Sequence, residues 1–214
     1  MTHKRYAIFD VDTRQARNGG GWSYMARTQP YSEAIEQLLA AAELNHIPTV
    51  ATTCVRGNMI DEAPFSRLHP GTAFIPMAED GDSWMARVNR VHTYFVEKKP
   101  RRPGMENNVP YNSWEIFLNN PNANRLIHHL DVQEWIVFGN AMDVCGDLVV
   151  QHLHQQGRAV RYVPELMIPG SACKGCDPGA FKQPVFDRWH ALGIAPLPLA
   201  DLLTDLSLPE PQSA

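Results

Sequence analysis

The sequence predicts an α/β fold: a single-domain, Rossmann-like three-layer α/β/α sandwich around a central, mostly parallel sheet. Three observations predict it. Residues 135–151 read WIVFGNAMDVCGDLVVQ. Trp135 to Phe138 is a short apolar run rich in β-branched and aromatic residues, Gly139 and Asn140 break it, and Val149, Val150 and Leu153 then recur at helical spacing as far as a stop at Gly157. With residues 158–163 as the next strand, this is a strand–turn–helix–strand unit of a parallel sheet. A second such alternation stands at the front of the chain, where strand-like residues 5–9 and 47–53 flank a helical stretch. Finally, 214 residues with 44% apolar content suit one α/β domain with elaborations. The domain is expected over residues 1–208, with residues 209–214 as a flexible tail carrying Pro209, Pro211 and Ser213.

Taken in order, residues 5–9 (RYAIF) form the first strand and end in Asp10-Val11-Asp12-Thr13. Carboxylates at the carboxyl end of a first parallel strand stand where open α/β sheets bind ligands. Asp12 reads as a turn residue or helix cap. Asn18-Gly19-Gly20-Gly21 lacks the Lys-Ser/Thr of a phosphate loop. Residues 30–45 form a helix with Ile35, Leu38, Leu39 and Ala42 as its apolar stripe and Ser32 as N-cap. Residues 47–53 are the second strand, and Thr52, Thr53 and Cys54 come off its end. Cys54 reads as a wall or core residue.

Residues 57–89 are expected to be irregular, with Pro64, Pro70 and Pro76. Trp84 and Phe65 either roof a pocket there or pack beneath a long loop. Residues 93–96 (TYFV) are the third strand, followed by Glu97, Lys98 and Lys99. After a loop over residues 100–112, apolar residues from Trp114 to Leu130 bring a helical pattern toward the central strand. Cys173 and Cys176 form one CxxC, which supplies only two metal ligands and reads as loop thiols, with a metal site or disulfide as the lesser alternative. Residues 181–192 are expected as the last helix, and residues 194–199 are a candidate for a final short strand.

Cys145 opens the helix after the central strand. Unpaired N–H groups and the helix dipole favour an anion there, and a thiol so placed becomes a better nucleophile. A small buried core cysteine is the competing reading. The net charge of −4 comes without a block of like charge, so nothing marks a nucleic-acid footprint. No apolar segment is long enough to span a bilayer and no signal-peptide pattern opens the chain, so a cytoplasmic protein is the expectation.

Three pieces fall in a fixed order: an aspartate ending strand one (AIFD, Asp10), a lysine ending a middle strand (YFVEK, Lys98) and a cysteine after VFGNAMDVC (Cys145). This order resembles the isochorismatase-like cysteine hydrolases, which include nicotinamidases and N-carbamoylsarcosine amidase. The best-matching piece is G-x-A-x-D-x-C, here Gly139, Ala141, Asp143 and Cys145. The resemblance implies Asp10 as general base, Lys98 as cationic partner and Cys145 as nucleophile. It also implies a cis peptide at Asn140–Ala141 and an oxyanion site from backbone N–H groups at Cys145 and near Ala141. The activity implied is hydrolysis of a small amide, carbamoyl or ureido compound through a thioester, with no cofactor, in a homo-oligomer (dimer or tetramer).

Nicotinamidases carry a metal-binding Asp-x-His after the second strand; the matching stretch here is Cys54-Val55-Arg56, so no such metal is expected. Arg56 either binds a substrate carboxylate or faces solvent. Arg56, Trp84 and Asp143 are the candidate substrate-binding residues. Lys99 competes with Lys98, since a strand turns only one of two neighbours into a site. The rival reading is a haloacid-dehalogenase-like phosphatase. IFDVDT resembles that family's first motif, with Asp10 and Asp12 working beside a magnesium ion and Asp143 and Asp147 loosely placed for its last motif. A third reading is an isochorismatase-like module with idle residues.

Overall fold

The computed structural model describes residues 6–14, 31–53, 72–75, 85–88, 90–96, 120–170 and 175–207. Among the described residues seven strands form one sheet: β1 (Tyr6–Arg14), β2 (Thr49–Thr53), β3 (Thr72–Ile75), β4 (Thr93–Val96), β5 (Glu134–Gly139), β6 (Ala159–Met167) and β7 (Ala195–Pro196). Their spatial order is β3-β4-β2-β1-β5-β6-β7, and every pairing is parallel. The helices are α1 (Tyr31–Leu44), α2 (Met85–Val88), α3 (Pro121–Leu130), α4 (Asp147–Gln155), α5 (Pro178–Ala191) and α6 (Leu199–Ser207). A π-helical turn, Met142–Gly146, precedes α4.

The central strands explain the core. Ala7, Ile8 and Phe9 of β1 and Trp135 to Phe138 of β5 are all fully buried. Such unbroken apolar runs belong to parallel strands covered on both faces. Neighbouring residues of β6 show both covers, because successive side chains point to opposite faces. Arg161 lies over the Tyr6 ring, and the Tyr6 hydroxyl donates to Asp205 of α6 at 2.8 Å, with α1 packed beside α6. Tyr162, next in sequence, stacks on Phe186 of α5 at 4.8 Å and meets Trp189 edge-on at 4.7 Å.

Several boundaries differ from expectation. The region over residues 57–89 contains β3 and α2. A four-residue strand such as TAFI pairs only with β4 and is too short to show a period. Ser32 lies inside the first turn of α1, which begins at Tyr31, and so is not its N-cap. The helix over residues 181–192 runs from Pro178 to Ala191, with Asp177 accepting the Gly179 N–H as its cap. It is not the last. Residues 194–199 hold only the two-residue β7, and α6 follows, with Leu199, Leu202, Leu203 and Leu206 at helical spacing. Cys176 is disulfide-bonded, which corrects its reading as a loop thiol; Cys145 is in no disulfide and is buried.

Candidate active site

The strand order reverses at the β1–β5 pair. From β1 the chain passes through α1 to β2 on one side, and from β5 through α4 to β6 on the other. The crevice beyond the carboxyl ends of such a pair is where open α/β sheets hold ligands. Asp10, paired with Phe138, and Val11, paired with Gly139, mark that end.

Beyond Asp10 the strand bulges. Asp10 pairs with Ala51 of β2 but Arg14 pairs with Thr53, so β1 spends four steps where β2 spends two. Asp12 sits in this bulge with φ +53°, a left-handed conformation uncommon outside glycine and asparagine-like residues. It is neither a turn nor a cap residue but a buried part of β1. Its amide donates to Thr52 Oγ1 at 3.2 Å, and its carboxylate accepts the Thr52 hydroxyl at 2.9 Å. Asp10, also buried, accepts the Thr13 hydroxyl at 2.5 Å.

The turn after β5 is locked to this bulge. Gly139 has φ +125°, and a Cβ there would collide with the Val11 backbone. Asn140 donates from its amide to Val11 O at 2.8 Å and from Nδ2 to Asp12 O at 2.9 Å. The Asn140–Ala141 peptide is cis. Ala141 O accepts from Val144 N at 3.0 Å and Gly146 N at 2.9 Å, the latter closing the π-helical turn that carries Cys145. Cys145 therefore stands inside this turn, two residues ahead of α4, rather than at the first residue of a regular helix. Met142 N is committed to Ile168 O at 2.9 Å, whereas the Ala141 N–H has no acceptor among the described residues.

Asp143 holds the fold together locally. Its Oδ1 accepts the Gly170 N–H at 2.7 Å and ties the turn to the segment after β6. A Cβ on Gly170 would come within 2.6 Å of that oxygen, so the approach requires glycine. Asp147 accepts from Trp189 Nε1 at 2.7 Å and pairs with Arg188 at 3.0 Å. The two carboxylates that the phosphatase reading assigns to its last motif are thus both engaged in holding the fold.

Asp10 comes from β1, and Asn140, Ala141, Asp143 and Cys145 from the turn that follows β5, the two strands that meet at the switch point. The end of β4 approaches the same edge, because Val96 pairs with Thr52. Lys98, Lys99, Arg56, Trp84, Phe65, Cys54 and Cys173 lie outside the described residues. Sequence reasoning missed Thr52 and Asn140 as partners of Asp12, since the signal for both is a bulge that no local pattern announces.

No protein-family model matches the chain, and no curated protein does. Solved structures do. YcaC from Escherichia coli, described as an octameric hydrolase of unknown specificity, matches at TM-score 0.53 and 13% identity over 93% of this chain and 78% of its own. The nicotinamidase SaPncA from Staphylococcus aureus matches at TM-score 0.52 and 11% identity, covering 92% and 98%. An isochorismatase family protein from Desulfovibrio vulgaris matches at TM-score 0.53 and 15% identity, covering 96% and 100%. Likeness at such identity carries the architecture, while function lives in the site. On that architecture the chain has the isochorismatase-like α/β fold.

Proposed function

We propose that the protein is a cysteine hydrolase that cleaves a C–N bond of a small amide, carbamoyl or ureido compound. The observation that supports this best is the placement of Cys145, buried and in no disulfide, in the turn after β5, beside the β1 strand that carries Asp10. Asp10 takes the thiol proton, and Lys98 with the following helix N-terminus stabilises the thiolate. The thiolate attacks the carbonyl carbon. The Ala141 N–H, with the Cys145 amide, holds the oxyanion that forms. Asp10 returns its proton to the nitrogen as the C–N bond breaks, releasing ammonia or an amine and leaving a thioester. Water, deprotonated by Asp10, then hydrolyses the thioester and regenerates the thiol. Asp143 acts by positioning the turn, and Arg56 and Trp84 stand as substrate contacts.

A homo-oligomer is part of the reading, supported by the octamer of the E. coli relative. No helix among the described residues is long and apolar enough to cross a membrane. A cytoplasmic location is part of the proposal, and the Cys176 disulfide weighs against it, since such bonds are rare in reducing compartments.

The test is an ammonia-release screen over small amides, carbamates and ureas, paired with mass spectrometry of the protein during turnover. The reading expects a substrate whose acyl group appears on Cys145, with both signals lost in Cys145→Ser and in Asp10→Asn. A substrate hydrolysed equally well by Cys145→Ser would overturn it.

A further inference from the structure

At the opposite, amino end of the sheet a cavity of about 490 Å³ opens between the turn after α4 and the turn after α5. Its walls include Glu134, His154, Arg158, Arg161, Leu192 and Ile194. The volume falls in the range of small-molecule sites. We infer that this cavity binds a small oxyanion, a carboxylate or phosphate group, with Arg158 as its cationic anchor.

The charge balance of the walls points to an anion. Arg161 is neutralised, pairing with Glu134 at 2.6 Å. Arg158 is not: among the described residues it has no carboxylate partner, and its guanidinium hydrogen-bonds from Nη2 to His128 Nδ1 at 2.7 Å. Arginine only donates, so His128 Nδ1 accepts, and the positive charge of Arg158 is left without a carboxylate beside it among the described residues. Arg158 Nε is buried and without a hydrogen-bond partner, as is Arg161 Nε, and buried donors normally find acceptors.

Capping does not explain Arg158. A cation after a helix C-terminus commonly serves the last carbonyls. Here those of His152, Leu153 and His154 already accept from the backbone amides of Gln156, Arg158 and Gly157 at 2.9–3.0 Å. The apolar wall favours a ligand with a compact hydrocarbon part. Leu192 is 45% exposed, one of two large apolar side chains so open among the described residues, and it lines this cavity.

The test is isothermal titration calorimetry at constant ionic strength set with chloride, using hexanoate and inorganic phosphate as separate probes. Binding of at least one is expected. Arg158→Gln should weaken it by about tenfold or more, the loss of a charge-assisted pair. Leu192→Glu, which sets a like charge opposite the anion and leaves Arg158 in place, should weaken it as well and keeps the question decidable if Arg158→Gln does not fold. Hexanoate alone binding assigns a carboxylate ligand, and phosphate alone a phosphate-bearing one. Absence of heat from both probes, or affinity unchanged in the two variants, overturns the assignment.

Discussion

At the carboxyl end of β1 and β5, Asp10 is held by Thr13, Asp12 by Thr52, Asn140 by two backbone oxygens and Asp143 by Gly170. At the amino end of the same strands, Arg158 and Arg161 keep buried Nε atoms without partners, and the Gly157 and Gly193 turns face open space. The first region holds uncommon backbone, with Asp12 at φ +53° and Gly139 at φ +125°, and it needs those hydrogen bonds to keep it. The second uses ordinary turns around a cavity and leaves two arginine Nε donors unspent. Side chains that do chemistry must be fixed to within a fraction of an ångström by the groups around them, and the hydrogen bonds at the carboxyl end supply such support.

Substitutions sharpen this contrast in order of expected size. Gly139→Ala should be the most damaging, because the new Cβ strikes Val11 and the left-handed backbone adds strain. A loss of about 4 kcal/mol in urea denaturation, or failure to fold, is expected. A mild effect would mean that the turn after β5 is looser than described. Asp143→Ala should cost about 1–3 kcal/mol by stranding the Gly170 N–H, while Asp143→Asn, which keeps an acceptor oxygen, should cost clearly less. Equal losses would show that packing, not that hydrogen bond, is the contribution.

The amino end should respond weakly. The Arg161–Glu134 pair is partly exposed, so Glu134→Gln should change stability by less than about 1 kcal/mol in the same denaturation assay. Between the ends, burial holds the His152 pKa below its ordinary value of 6.5, favouring the neutral ring that bonds Asn124 at 3.1 Å. The unfolded chain then binds the proton more readily. Stability should therefore be unaffected well above pH 6.5 and should fall as pH drops through that value, and His152→Gln should flatten the profile below it. A profile unchanged by the substitution would assign the acid sensitivity to other groups.

Much of the fold is legible in the sequence because its central strands are unbroken apolar runs and its principal helices carry clear stripes, as with Trp135 to Phe138 and Ile35, Leu38 and Ala42. The G-x-A-x-D-x-C stretch marks the turn that carries Cys145. What is not legible has local causes. The β1 bulge depends on pairing with two different strands, so Asp12 reads locally as a turn residue. β3 and β7 are too short for a period. The leucines of α6 follow Pro196 and Pro198, and those prolines suggest an irregular end to the domain rather than another helix. The cavity at Arg158 arises from two turns far apart in sequence, and neither turn predicts it alone.

The central claim is that Cys145 is a poised thiolate. It is tested most directly by following alkylation of the native protein, residue by residue with mass spectrometry, from about pH 5 to about pH 9, across the ordinary thiol value of ~8.5. Cys145 should react well below that value in the wild type and lose the advantage in Lys98→Ala. A Cys145 that stays inert until the ordinary thiol range, or that reacts identically in Lys98→Ala, would contradict a lysine-supported nucleophile and leave Cys145 as a packing residue.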